Sequence, residues 1–178
     1  MAIGRALPAL AVTLLALSGC GWAPLYADPE TGPAASQLAA VEVDPIPERI
    51  GQRLEMALRN ALDPSGVQAK EQYRLHTVLT VALSNLGIQT QGTAVLGRVD
   101  VFATYSLSDL KSGQALLSSQ VHAQNSFSLD PNQYSTVVAE DDAGVRCVAE
   151  ITNEMVSRLT LFMERRSGGK SDKRAERQ

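Results

Sequence analysis

Histidine, cysteine, aromatic side chains and any surplus of positive charge are all scarce in this sequence. Of 178 residues, two are His and two are Cys, aromatic residues make up 4%, and Lys plus Arg number 16 against 19 Asp plus Glu. A formal net charge of −3 argues against nucleic acid as a partner, which would need a basic face. The shortage of aromatic rings also argues against a base-stacking platform. His76 and His122 have no Cys or further His to complete a zinc set, so no metal is expected. P-loop, G-x-G-x-x-G and G-x-S-x-G motifs are absent, so no catalytic residue, no cofactor and no enzymatic activity are expected. Long apolar runs are missing too. The greasiest stretch, Ala6 to Leu17, is shorter than the roughly 20 apolar residues needed to cross a bilayer.

What is present begins in that stretch. Arg5 is followed by the apolar run and then by Leu17-Ser18-Gly19-Cys20. A positive start, a short apolar segment and small residues before a cut site read as a signal peptide. Here the cut site has the form of a bacterial lipobox, with Cys20 as the residue to be lipidated. Small Ser18 and Gly19 suit a narrow peptidase groove, and the thiol is delivered at the membrane surface. Each buried methylene contributes about 0.8 kcal/mol, and more than one acyl chain makes the anchor stable. The competing reading is a soluble periplasmic protein cut near Ala23 or Ala27. Gly21 after the cysteine, where an Asp would favour inner-membrane retention, leans toward the outer membrane. With Cys20 lipidated, Cys147 has no intramolecular partner and reads as a small buried apolar residue.

Four segments follow from this pattern: a signal peptide over 1–19, a lipidated tether over 20–37, a folded domain over 38–166 and a disordered basic tail over 167–178. The tether is rich in Pro and Gly, with Trp22, Leu25 and Tyr26 free to dock or merely to space. From Arg165 onward the chain carries six Lys/Arg and two Asp/Glu, which leaves the preceding body acidic.

Within the domain, Val41 and Val43 alternate as a short strand. "PERIGQRLEMALRNAL" has helical spacing, with Pro47 in the first turn, Glu48 at the positive helix end and Arg49, Arg53 and Arg59 on a solvated face. Three alternating segments follow. Tyr73 to Leu83 forms one strand before a turn at Asn85-Leu86-Gly87. Gly97 to Asp109 forms another before a turn at Lys111-Ser112-Gly113. Gln114 to Leu129 forms the third. Gly92 and Gly97 fit turns or bulges. A helix runs from about Ala139 to Arg165, its stripe made of Val148, Ile151, Met155, Leu159 and Phe162. Glu140-Asp141-Asp142 reads as favourable charge at its start rather than as a cation or acid–base cluster. Ser167-Gly168-Gly169 ends it. The order β-α-β-β-β-α predicts an α+β fold, a two-layer sandwich with both helices on one face of a mostly antiparallel four-stranded sheet. The second face, rich in Ser, Thr and Gln, is left exposed.

Cys20-Gly21-Trp22-Ala23-Pro24-Leu25-Tyr26, the Val41–Leu62 strand and helix, the Arg98–Leu107 strand, the turn at Lys111–Gly113 and the Tyr134–Ala143 approach to the last helix resemble the LptE family of lipopolysaccharide-assembly lipoproteins, in its alphaproteobacterial form. The resemblance implies a plug that sits in the LptD β-barrel, helps assemble it and assists lipopolysaccharide transport. It implies a lipid-anchored place on the periplasmic side of the outer membrane. It also directs attention to cations at element ends, Arg98, Lys111 and Arg74, as contacts for the anionic groups of lipopolysaccharide, with solubilising charge as the competing account. A different envelope lipoprotein, auxiliary to a lipid transporter or activating a cell-wall synthase, is the alternative.

Overall fold

The computed structural model describes residues 33–64, 66, 69–88 and 94–175. The elements run α1 (Pro33–Leu38), β1 (Val41–Val43), α2 (Arg49–Leu62), β2 (Tyr73–Ile88), β3 (Ala94–Asp109), β4 (Ala115–Ser128) and α3 (Gln133–Ala175). The four strands form one sheet in the order β1-β2-β3-β4. β1 lies parallel to β2, and β2, β3 and β4 form an antiparallel meander. The α+β sandwich expected from the alternation is therefore the observed fold, with α2 as the crossover that a parallel β1–β2 pair requires.

One face of the sheet is apolar because residues two apart share a side. Leu75 in β2, Val101, Tyr105 and Leu107 in β3, and Val121 and Ala123 in β4 are buried there. Against them pack Leu54 and Leu58 of α2 and Ala143, Cys147, Ile151, Met155, Leu159 and Met163 of α3. In both helices these buried residues recur at intervals of three or four, the spacing that puts them on one stripe. Replacing a fully buried leucine such as Leu54 by Ala would cost about 2–5 kcal/mol.

Several boundaries differ from the sequence expectation, each for a local reason. α1 occupies residues assigned to the tether; its last residue, Leu38, is buried in the core, and that burial fixes the helix. α2 starts at Arg49, so Pro47 and Glu48 precede it, and Glu48 takes φ 67° without a side-chain cap. β2 runs on through Asn85-Leu86-Gly87 to Ile88, because β3 begins at Ala94 and pairs with it there. Gly97 is neither turn nor bulge but a regular pairing position between Asn85 and Phe127. A Cβ on Gly97 would come within 2.4 Å of the Phe127 ring, so the glycine makes room for an aromatic. The sheet's irregularity lies instead at Leu107/Ser108. Gly92 falls outside the described residues.

α3 begins six residues before Ala139. The Tyr134 N–H donates to Oδ1 of Asn132, and the Asp130 N–H donates to the Thr136 hydroxyl, which fastens that end. It also passes Ser167-Gly168-Gly169 and reaches Ala175. The expected tail is thus helical as far as it is described; Ser167 donates its hydroxyl to the Glu164 carbonyl, a bond made within the helix rather than one that ends it.

Candidate interaction surface

Among the described residues, no helix packs on the second face of the sheet. Its middle strand presents Arg98, Asp100, Phe102, Thr104 and Ser106, flanked by His76, Val78, Thr80, Ala82 and Ser84 of β2 and by Ser118, Gln120, His122, Gln124 and Ser126 of β4. Most of this is the polar surface the alternation predicts. Its centre is different. Asp100 is 8% exposed. Its Oδ2 accepts from Nε of Arg98 at 2.7 Å, and its Oδ1 lies 3.2 Å from Nε2 of His122. The His122 ring stacks on Phe102, with centroids 4.2 Å apart. The carboxylate thus has Arg98 against one oxygen and the His122 ring against the other. Sequence reading missed Asp100 because an acid in a polar strand phase looks like ordinary surface. Its partner His122 lies diagonally across, and only the β3–β4 register reveals that relation.

The three cations singled out from the sequence do not form one site. Arg74 pairs across β2–β3 with Ser108, at the end of the sheet where β1 lies. Its guanidinium is 3.1 Å from Glu42 and 3.5 Å from Asp44. Lys111 sits in the turn just beyond, at the same end. There the Lys111 and Ser112 N–H groups both donate to Oδ1 of Asp109. These bonds, with that from Ser112 the stronger, hold the Asp109 carboxyl below its usual range. Arg98 lies near the opposite, distal end, opposite Ser84 and Ser126. At about 3.4 Å per residue, Arg98 is roughly 34 Å along the strand from Ser108. The two histidines are also apart: β3 separates their strands, and His76 faces Asp44 at 3.1 Å. Among the described residues, no three His, Cys, Asp or Glu side chains gather into a metal-binding group.

On the helix-covered face, α2 and α3 stop short of covering the distal end of β2. A cleft of about 380 Å³ opens there between β2 and the starts of both helices. Val81, Leu83, Val99, Ile50 and Val137 give it apolar walls. Val81, Leu83 and Val137 are 37%, 58% and 57% exposed. Arg53 crosses from α2 to α3 with both terminal nitrogens on Asp141, at 2.8 and 2.9 Å. This corrects two expectations. Arg53 is not merely solvated, and Asp141 lies two turns inside α3, tying the helices together rather than meeting a helix start. Arg53 is the main cause that holds the Asp141 carboxyl below its ordinary range. Arg59 is also engaged, donating to the Val43 carbonyl at 3.1 Å.

Cys147 is fully buried at the α3–sheet interface, its sulfur 3.4 Å from Nδ2 of Asn125. Burial pushes its thiol up from the ordinary range. Cys20, the residue expected to carry lipid, lies outside the described residues, and so do Trp22, Leu25 and Tyr26.

No protein-family model matches the sequence. No curated protein matches it either. Solved structures do. A protein assigned as a lipoprotein of Caulobacter crescentus CB15 superposes with a TM-score of 0.62 at 17% identity, over 76% of this chain and 98% of that one. A minor lipoprotein of Acinetobacter baumannii gives 0.54 at 16% identity, over 68% and 90%. Lipoprotein B of Nitrosomonas europaea gives 0.53 at 14% identity, over 70% and 83%. The chain shares its fold with bacterial lipoproteins. At these identities the likeness is one of fold, and it spans nearly all of the Caulobacter chain.

Proposed function

We propose that this chain is an envelope lipoprotein, held by lipid on Cys20 to the periplasmic side of the outer membrane, that plugs and helps assemble an LptD-like β-barrel and assists lipopolysaccharide transport. The observation that carries the reading is a fold shared with lipoproteins joined to Leu17-Ser18-Gly19-Cys20, the residues that lipid attachment needs. The physical role is that of a wedge. A plug in a water-filled lumen must be stiff and polar-sided. Two strands of 16 residues each and a 43-residue helix, clamped by Arg53–Asp141, supply stiffness. The Ser/Thr/Gln face of the sheet supplies polar sides. The chain acts through its surface rather than through reactivity.

Lipopolysaccharide contact is the finer part of the proposal. Its phosphates or carboxylates need cations close to apolar groups. Arg98 and Lys111 stand at opposite ends of β3, so each is tested singly. Lys111→Glu leaves the turn intact, since only its backbone N–H holds Asp109. Arg98→Gln removes the cation and leaves Asp100 with His122. Purification of the lipidated chain in mild detergent tests the main reading. A stable one-to-one complex with a large β-barrel supports it. An inner-membrane lipid transporter or a cell-wall synthase in its place supports the alternative.

A further inference from the structure

The two outer edges of the sheet are treated differently. Along β4 the carbonyls of Gln120 and Ser126 point outward, and α3 covers both: Arg158 donates to the first at 3.0 Å and Arg146 to the second at 3.1 Å. Such capping blunts an edge against pairing with another strand. Among the described residues, β2 has no such guard at its distal end. β1 covers only Tyr73–Leu75, and the Asp44 N–H makes the next link, to the Leu75 carbonyl. Pro45 and Pro47 then follow, and neither has an N–H to extend the ladder. The groups that face β1 belong to Tyr73 and Leu75, so by alternation those of Val81, Leu83 and Asn85 also point outward. Among the described residues, no strand pairs with them.

We propose that this distal edge of β2, from Val81 to Asn85, accepts an extended segment of the barrel partner as a fifth strand, whose alternate side chains drop into the neighbouring cleft. The inference rests on the barrel reading above and assigns it a contact. Unpaired backbone groups call for a peptide backbone, and the cleft beside the same residues calls for apolar side chains at every second position. Charge matching narrows the occupant. From Thr77 to Gly97 the sequence has no charged residue, so a segment lying along this edge is uncharged, since a buried unpaired charge would be expelled. At the mouth of the cleft Arg49 is 79% exposed and lies 3.8 Å from Asp141, which Arg53 already holds. With Glu48 and Glu140 on the same rim, three acids stand against two arginines there, so the rim adds no call for an acidic residue in the segment.

The test uses the full lipidated chain co-expressed with its barrel. Val81→Pro removes an outward N–H, so it blocks strand addition without breaking the β2–β3 ladder. Leu83→Lys puts a charge on the edge. A photo-crosslinker at position 83 reports the neighbour, with one at position 124 on the guarded edge as control. The proposal expects both variants to lower the yield of complex at least tenfold while circular dichroism and melting of the free chain stay unchanged. It expects position 83 to crosslink to a single short segment of the barrel. If Val81→Pro does not fold, Leu83→Lys and the crosslink decide. Full complex yield from Leu83→Lys, or a crosslink from position 83 to a second copy or to this chain's own residues before Pro33, overturns the strand-addition proposal and leaves the barrel reading standing. Absence of any barrel complex with the unaltered chain overturns both.

Discussion

Asp100 and Cys147 are both buried, and they behave oppositely. Asp100 is set on the face that no described helix covers, where Arg98 and His122 lie against its two oxygens. Asp100→Asn leaves Arg98 without its counter-ion and should destabilise the fold by about 1–3 kcal/mol, read by thermal unfolding. Cys147 is neutral in the core. Because its thiol pKa is raised above the ordinary value of 9.0, the unfolded chain ionises there first. Stability is then complete below about pH 9 and falls as the pH rises above it. The Cys147 thiol should resist alkylation in the native protein and react on unfolding in denaturant; rapid labelling of the folded protein would contradict its placement. The cysteine count alone reads Cys147 as a buried residue, although the stripe read from the sequence runs through Val148 rather than Cys147. Asp100 is not readable in this way, because its significance comes from a diagonal neighbour 22 residues away.

Elements were legible wherever burial on one side imposed a period, and illegible where only tertiary contact set a boundary. β3 and β4 followed their alternation, and α3 its stripe. The turn expected at Asn85-Leu86-Gly87 is strand because β3 pairs with it, and pairing cannot be read from β2 alone. Sequence pattern puts Glu140-Asp141-Asp142 at a helix start because the segment from Asn132 to Val138 upstream carries no hydrophobic period. The candidate surface was legible in its Ser/Thr/Gln composition, but not in the length of strand, roughly 34 Å, that separates Arg98 from the Arg74 end. Two predictions belong to this scale. Gly97→Val forces a side chain against the Phe127 ring and should cost about 1–3 kcal/mol, with Phe127→Ala in the same chain relieving the clash; equal destabilisation with or without the ring would contradict it. Asp141→Asn removes the clamp between α2 and α3. The folded Asp141 pKa lies below its ordinary 3.8, so the clamp stabilises fully above about pH 4 and is lost as the pH falls through the folded value. A denaturant midpoint followed downward from pH 5 should therefore drop more steeply in the unaltered chain than in Asp141→Asn.

For the whole molecule, fold and anchor carry different parts of the account. The sandwich provides a body with one guarded edge, a distal β2 edge that no described strand pairs with, and a polar face. Such a body could serve many partners, and fold does not by itself select among them. In the proposed reading, lipid on Cys20 confines it to a membrane surface, where a wedge beside a barrel would be useful. Cys20→Ala should shift the protein from the membrane fraction to the soluble one while its unfolding transition stays the same, since the described core begins at Leu38.

The most direct measurement is the intact mass of the native assembly released from membranes in mild detergent. The account predicts a chain whose mature terminus is a triacylated Cys20, bound one-to-one to a large β-barrel. An unmodified sulfur at that position, or a lipidated chain recovered with an inner-membrane transporter or a cell-wall synthase and no barrel, would contradict it.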